Sequence, residues 1–165
     1  MRLKGNAAPM TETERILDQL KRANKGGAWH GPSVSETLAG ISAKMAAARP
    51  VSGPHSIWEV VLHIAAWQGA VGRRLKGDRA ELLSEEDWPQ VIEASEAAWS
   101  KAKKALEQSY DSLVAALSGL DDTRLDEPIL PEMSSIYVTL HGVIQHDLYH
   151  AGQIAILKKA LGVAS

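Results

Sequence analysis

Apolar residues recur along this chain at intervals of three and four, in four long stretches separated by turn-forming residues. In the first, Ile16, Leu20 and Ala23 share one face. Thr11 and Glu14 make a capping box ahead of them, and Gly26-Gly27 ends the run near Lys25. The second opens on another capping box, Ser56 with Glu59, and carries Ile57, Val60, Val61, Ile64, Val71 and Leu75 to about Gly77. Arg73, Arg74 and Lys76 complement the helix dipole in its last turn. The third runs from about Ala94 through Trp99, Ala102, Leu106, Leu113, Leu117 and Leu120. The fourth spans about Thr139 to Leu161 and stops at Gly162. Between the first two, Ser33 and Glu36 cap a shorter helix through Val34, Leu38, Ile41 and Met45, which ends before Pro50 and a VSGP connection. Residues 78–92 read as a polar connection and 121–132 as a linker with two prolines. No convincing run of alternating residues predicts a strand. The pattern predicts an all-α four-helix bundle with an additional short helix, over residues 10–162 behind a flexible leader at 1–9.

Composition narrows the classes. A chain of 165 residues buries a core as one domain without disulfides. It has no cysteine, which excludes a disulfide scaffold and a thiolate metal site. Lys and Arg total 18 against 20 for Asp and Glu, a net charge of −2, so no electrostatic footprint for nucleic acid or an anionic membrane is present. No apolar stretch is long enough to span a bilayer, and MRLKGNAAPM lacks the apolar segment of a secretory signal. A cytoplasmic protein is expected.

The candidate chemistry lies in histidines. His146 and His150 are four apart on the last helix, which puts their Cβ atoms about 5–6 Å from each other on one face. Val143, Ile154, Leu157 and Leu161 surround them, so both point toward the bundle. An unpaired buried polar group costs roughly 1–3 kcal/mol, and a shared metal satisfies both rings at once. Two histidines bonded to carbonyls or water would satisfy them equally, and the pair alone does not decide. His63, between Val60 and Trp67 on the second long helix, supplies a third imidazole if the two helices face each other. Three protein ligands with an open position are the pattern of a catalytic site. Imidazoles suit zinc, nickel, iron or copper. A zincin helix has Glu directly after its first His, where this chain has Asp147, so a metalloprotease does not fit.

His141 lies roughly 140° around the helix from His146 and cannot share its ion. His55 at a helix start and His30 in a Gly/Pro loop read as structural. Glu59, one turn before His63, either orients that ring or serves only its capping box. Trp67, one turn after, either lines a pocket or packs the core. Trp29, Trp58 and Trp88 fall near helix ends and read as packing or subunit contacts, with a ligand-lid role as the minority alternative.

The stretches HSIWEVVLHIAAWQ and HGVIQHDLYHAGQIAILKKAL, with the loop AWHGPSVSETL, resemble the DinB-like superfamily of bacterial four-helix bundles from Met10 to Leu161. That family's metal triad uses one His on the second bundle helix and two, four apart, on the last, which map onto His63, His146 and His150. The resemblance implies a crossover topology, a homodimer and a nickel or zinc cofactor. Its characterised relatives include metal-dependent S-transferases that use bacillithiol or mycothiol and a mycothiol-dependent maleylpyruvate isomerase. The expectation is therefore a metal-dependent thiol S-transferase or hydrolase in detoxification or stress response, with a low-molecular-weight thiol and a small electrophilic substrate as partners. The alternative is a non-catalytic metal-binding stress-response or interaction protein. No residue is assigned a catalytic role.

Overall fold

Thr11, Ser33 and Ser56 each accept a hydrogen bond from the backbone N–H three residues on, while Glu14, Glu36 and Glu59 reach back to the cap backbone. Each reciprocal pair satisfies two donors that a first helical turn leaves free. In the computed structural model, which describes residues 9–52 and 55–162, the chain forms α1 (Glu12–Lys25), α2 (Val34–Thr37), α3 (Ala43–Ala47), α4 (Ile57–Arg74), α5 (Ser84–Asp87), α6 (Glu96–Ser118) and α7 (Ile136–Ala160). Among the described residues, β-pairing is limited to an isolated bridge between Pro128 and Ser135. The leader expected at 1–9 lies, apart from Pro9, outside the described residues, as do Gly53 and Pro54 of the VSGP connection.

Three boundaries differ from the sequence pattern. The short helix predicted from Val34 to Met45 is two helices, broken where Gly40 takes a φ of 75° that a side chain would oppose. Ser42 then caps α3 by accepting from the Met45 N–H at 3.3 Å. Ile41 stays buried across the break, and its carbonyl accepts the indole N–H of Trp99 at 2.8 Å. The polar connection at 78–92 holds the single turn of α5. The last helix starts at Ile136, ahead of Thr139, because the Ser135 hydroxyl caps it.

α1 and α4 each pack against both α6 and α7. Trp58 meets Trp99, Gln68 meets Ser109 and Gly72 lies against the Leu113 backbone, so α4 and α6 run parallel. His63 lies beside His150 and Gln68 beside Asp147, so α4 and α7 run antiparallel. A parallel neighbour cannot be reached by a tight turn. Residues 75–95 therefore travel back along the bundle, carrying α5 across the face of α4. This is the expected crossover.

Two apolar clusters fill the interior. One gathers Ile57, Ile64, Trp99, Leu106 and Ile154, and the other Ile16, Leu20, Leu113, Leu117 and Leu140. Fully burying one such side chain contributes about 1.5–3 kcal/mol. Between the clusters lies a polar layer with one residue from each long helix: Asn24, Gln68, Ser109 and Asp147. Among the described residues no helix is long and apolar enough to cross a membrane.

Candidate metal centre

His63 projects from α4 two turns past its N-cap, and His146 and His150 project from successive turns of α7. Antiparallel packing of these helices brings the three rings together, with one nitrogen of each within 4.8 Å of the others. Nε2 of His146 lies 2.9 Å from Nε2 of His63. His63 and His150 are 5% and 4% exposed, whereas the His146 side chain, expected to be buried with them, keeps 24%. His146 lies at the margin of the apolar stripe, so the site opens on its side.

The outer ring nitrogens decide what the inner ones can do. His63 Nδ1 is 2.6 Å from the backbone oxygen of Asp87, and a carbonyl only accepts. Nδ1 of His63 therefore carries the proton and Nε2 presents a lone pair. His150 Nδ1 is held in the same way at 2.8 Å from Oε1 of Gln153. The Asp87 carboxylate lies 3.1 Å from His63 Nδ1 and accepts the indole N–H of Trp67 at 2.6 Å. Burial is the main cause of lowered pKa values for His63 and His150, the latter down to about 4, so both rings are neutral near pH 7. Neutral imidazoles tethered through one nitrogen and offering the other are the usual form of histidine ligands. Tetrahedral bonds of about 2.0–2.1 Å place ligand nitrogens about 3.4 Å apart, inside the observed spread. The donor set fits a borderline divalent ion.

The crossover closes one side of the cluster. Trp88 stacks on His63 at 3.8 Å and His55 stacks on the far face of Trp88 at 3.6 Å, the three rings nearly parallel. Clefts open on either side. One, of about 320 Å³, runs from His146 along Trp67, Arg74, Val138 and Gly142. The other, of about 380 Å³, lies beside His150 and is walled by Val51, Trp88, Tyr149, Gln153 and Ile156.

The remaining candidates divide. Glu59 belongs to its capping box and to Arg49, whose guanidinium it meets at 2.6 Å, and its carboxylate serves Ser56 rather than His63. Trp67 lines the site through Asp87. His141 packs on the Tyr137 ring at 4.4 Å, and His30 is exposed. Trp58 packs in the core and Trp29 is fully exposed, while Trp88, read from the sequence as a packing or subunit contact with a ligand-lid role as the minority alternative, packs against the core and also covers a candidate ligand. Sequence reasoning missed Asp87, Gln153 and Asp147. Gln153 follows His150 at i+3 and was open to detection; Asp147 falls four residues after Val143 on the buried stripe, a position where a carboxylate is itself a signal. Nothing local marks Asp87.

The sequence profile of the DinB superfamily matches residues 29–154, and the chain belongs to that superfamily. Comparison with curated proteins and with solved structures gives no significant match.

Proposed function

We propose that this DinB-superfamily protein holds one nickel or zinc ion through His63, His146 and His150 and is an enzyme of the thiol S-transferase or hydrolase type, acting in the cytoplasm in detoxification or stress response. The observation that carries the reading is the convergence of three imidazoles, two of them with their outer nitrogens committed to Asp87 and Gln153. A bound divalent ion with only three protein ligands lowers the pKa of a thiol or water at its open position. His63 and His150 stay neutral through burial and so keep their lone pairs available. Trp88 and Asp87 shield the His63 side from solvent, which leaves approach to the cluster along the two clefts. The apolar walls of the cleft beside His150 suit a small electrophile, and the thiol then reaches the cluster along His146. A second copy of the chain is the proposed macromolecular partner.

The burial of His63 and His150 also suits a structural metal in a non-catalytic stress-response protein. Metal content of tag-free protein and of His146→Ala tests the common premise. About one equivalent, lost in the variant, supports the triad. No metal in either, even after reconstitution with zinc and nickel, removes it. Turnover of an electrophile with a low-molecular-weight thiol then separates the enzyme from the binding protein.

A further inference from the structure

Asp147 has no exposed surface, and no Lys or Arg pairs with it among the described residues. Its Oδ2 accepts from Asn24 Nδ2 and from Gln68 Nε2, both at 2.8 Å. Gln68 also donates to Asn24 Oδ1 at 2.9 Å and accepts from the Ser109 hydroxyl at 2.9 Å. Asn24 of α1 and Gln68 of α4, the latter held by Ser109 of α6, thus grip one oxygen of a buried carboxylate with neutral donors only. Such a charge is costly to keep without a cation nearby.

Among the described residues the other oxygen has no hydrogen-bond partner, and neither does Nδ1 of His146, which lies 3.8 Å from it. The tautomers explain why the two do not satisfy each other. His63 presents a lone pair at Nε2, so the 2.9 Å contact requires His146 to carry its own proton on Nε2. His146 Nδ1 then turns a lone pair toward a carboxylate, and two acceptors face each other. If His146 Nε2 is given to a cation, the proton of the neutral ring moves to Nδ1 and points at Asp147. Both orphaned atoms are then satisfied, once the gap closes from 3.8 Å to hydrogen-bond range.

We propose that Asp147 is a positioning residue for the metal centre: anchored by Asn24, Gln68 and Ser109, its free oxygen accepts the His146 Nδ1–H and directs His146 Nε2 to the centre shared with His63 and His150. It also places one negative charge beside a dication held by neutral ligands. The inference rests on the proposed metal site and extends it to a layer reaching α1 and α6, neither of which supplies a ligand.

The test is zinc affinity, by competition with a chromophoric chelator, for the full chain and for Asp147→Asn, alongside urea denaturation of both metal-free proteins. The expected result is zinc binding weakened about 10–100-fold with the metal-free midpoint held or raised, since the variant removes a buried unpaired charge. Unchanged affinity with a lowered midpoint overturns the proposal and leaves the layer purely structural. If the wild-type chain binds no zinc, the metal site falls and this inference with it. A second measurement covers a variant that does not fold. In ¹⁵N spectra of zinc-loaded wild-type protein, His146 should show an exchange-protected proton on Nδ1; zinc bound through Nδ1 overturns the proposal.

Discussion

Nε2 of His63 and Nε2 of His146 meet at 2.9 Å across the α4–α7 interface, although 83 residues separate them. The contact joins a ring whose proton is committed outward to Asp87 and a ring that is partly open to solvent. His63 can donate no hydrogen at Nε2, so whatever lies between the two nitrogens must be a proton carried by His146 or a cation. This relationship makes the site sensitive both to metal and to what holds the outer nitrogens.

Trp88 should report metal binding. Its ring lies 3.8 Å from that of His63, so a paramagnetic ion at the cluster quenches it at short range. Titration of the metal-free protein with nickel should lower tryptophan emission, and Trp88→Phe should remove the larger part of that quenching. Equal quenching in the variant would mean that the ion binds away from His63.

Acid should weaken the metal-free fold before carboxylates titrate. Histidine in an unfolded chain titrates near 6.5, whereas burial holds His150 at about 4 and also lowers His63. Between those values the unfolded chain binds more protons than the folded one. Stability is therefore complete above about pH 6.5 and declines as the pH falls toward 4, by up to about 3 kcal/mol for His150. Urea midpoints at pH 7 and pH 5 check this, and His150→Asn should flatten the difference. Identical slopes for variant and wild type would contradict the burial argument.

Trp99→Phe should cost about 1–3 kcal/mol, because it strands the buried Ile41 carbonyl that the indole N–H now satisfies at 2.8 Å. The loss should appear as increased amide exchange around α2 and α3, whose break at Gly40 is pinned to α6 by this bond. A change confined to α6 would locate the effect in packing alone.

Gly69→Ala should stabilise the protein by about 0.5–1 kcal/mol. Gly69 lies inside α4, and a Cβ there meets nothing within 4 Å. A raised melting temperature with unchanged metal content is the expected outcome; lowered metal content would show that α4 needs the flexibility next to Gln68.

Much of the fold could be read directly because its determinants are local. Thr11 with Glu14, Ser33 with Glu36 and Ser56 with Glu59 act over one turn, and each starts a helix where the sequence places it. The pair His146 and His150 is likewise set by helical pitch. Gly40 was harder: an apolar repeat continues through Ile41 and Met45, and the break, made by the positive φ of Gly40 and the Ser42 cap, is pinned by the bond from Trp99 to the Ile41 carbonyl.

By itself, then, the sequence determined the four long helices, the capped starts of the first two and the three histidines, since these follow from spacing and from hydrogen bonds within one turn. Tertiary structure decided which groups hold those histidines. Asp87 and Trp88 reach His63 only because α4 and α6 are parallel and the chain must return along the bundle to join them. Asp147 meets Asn24 and Gln68 only where α1, α4 and α7 come together at one level. These contacts depend on helix direction and register, which pairing of whole apolar faces sets and no local spacing encodes.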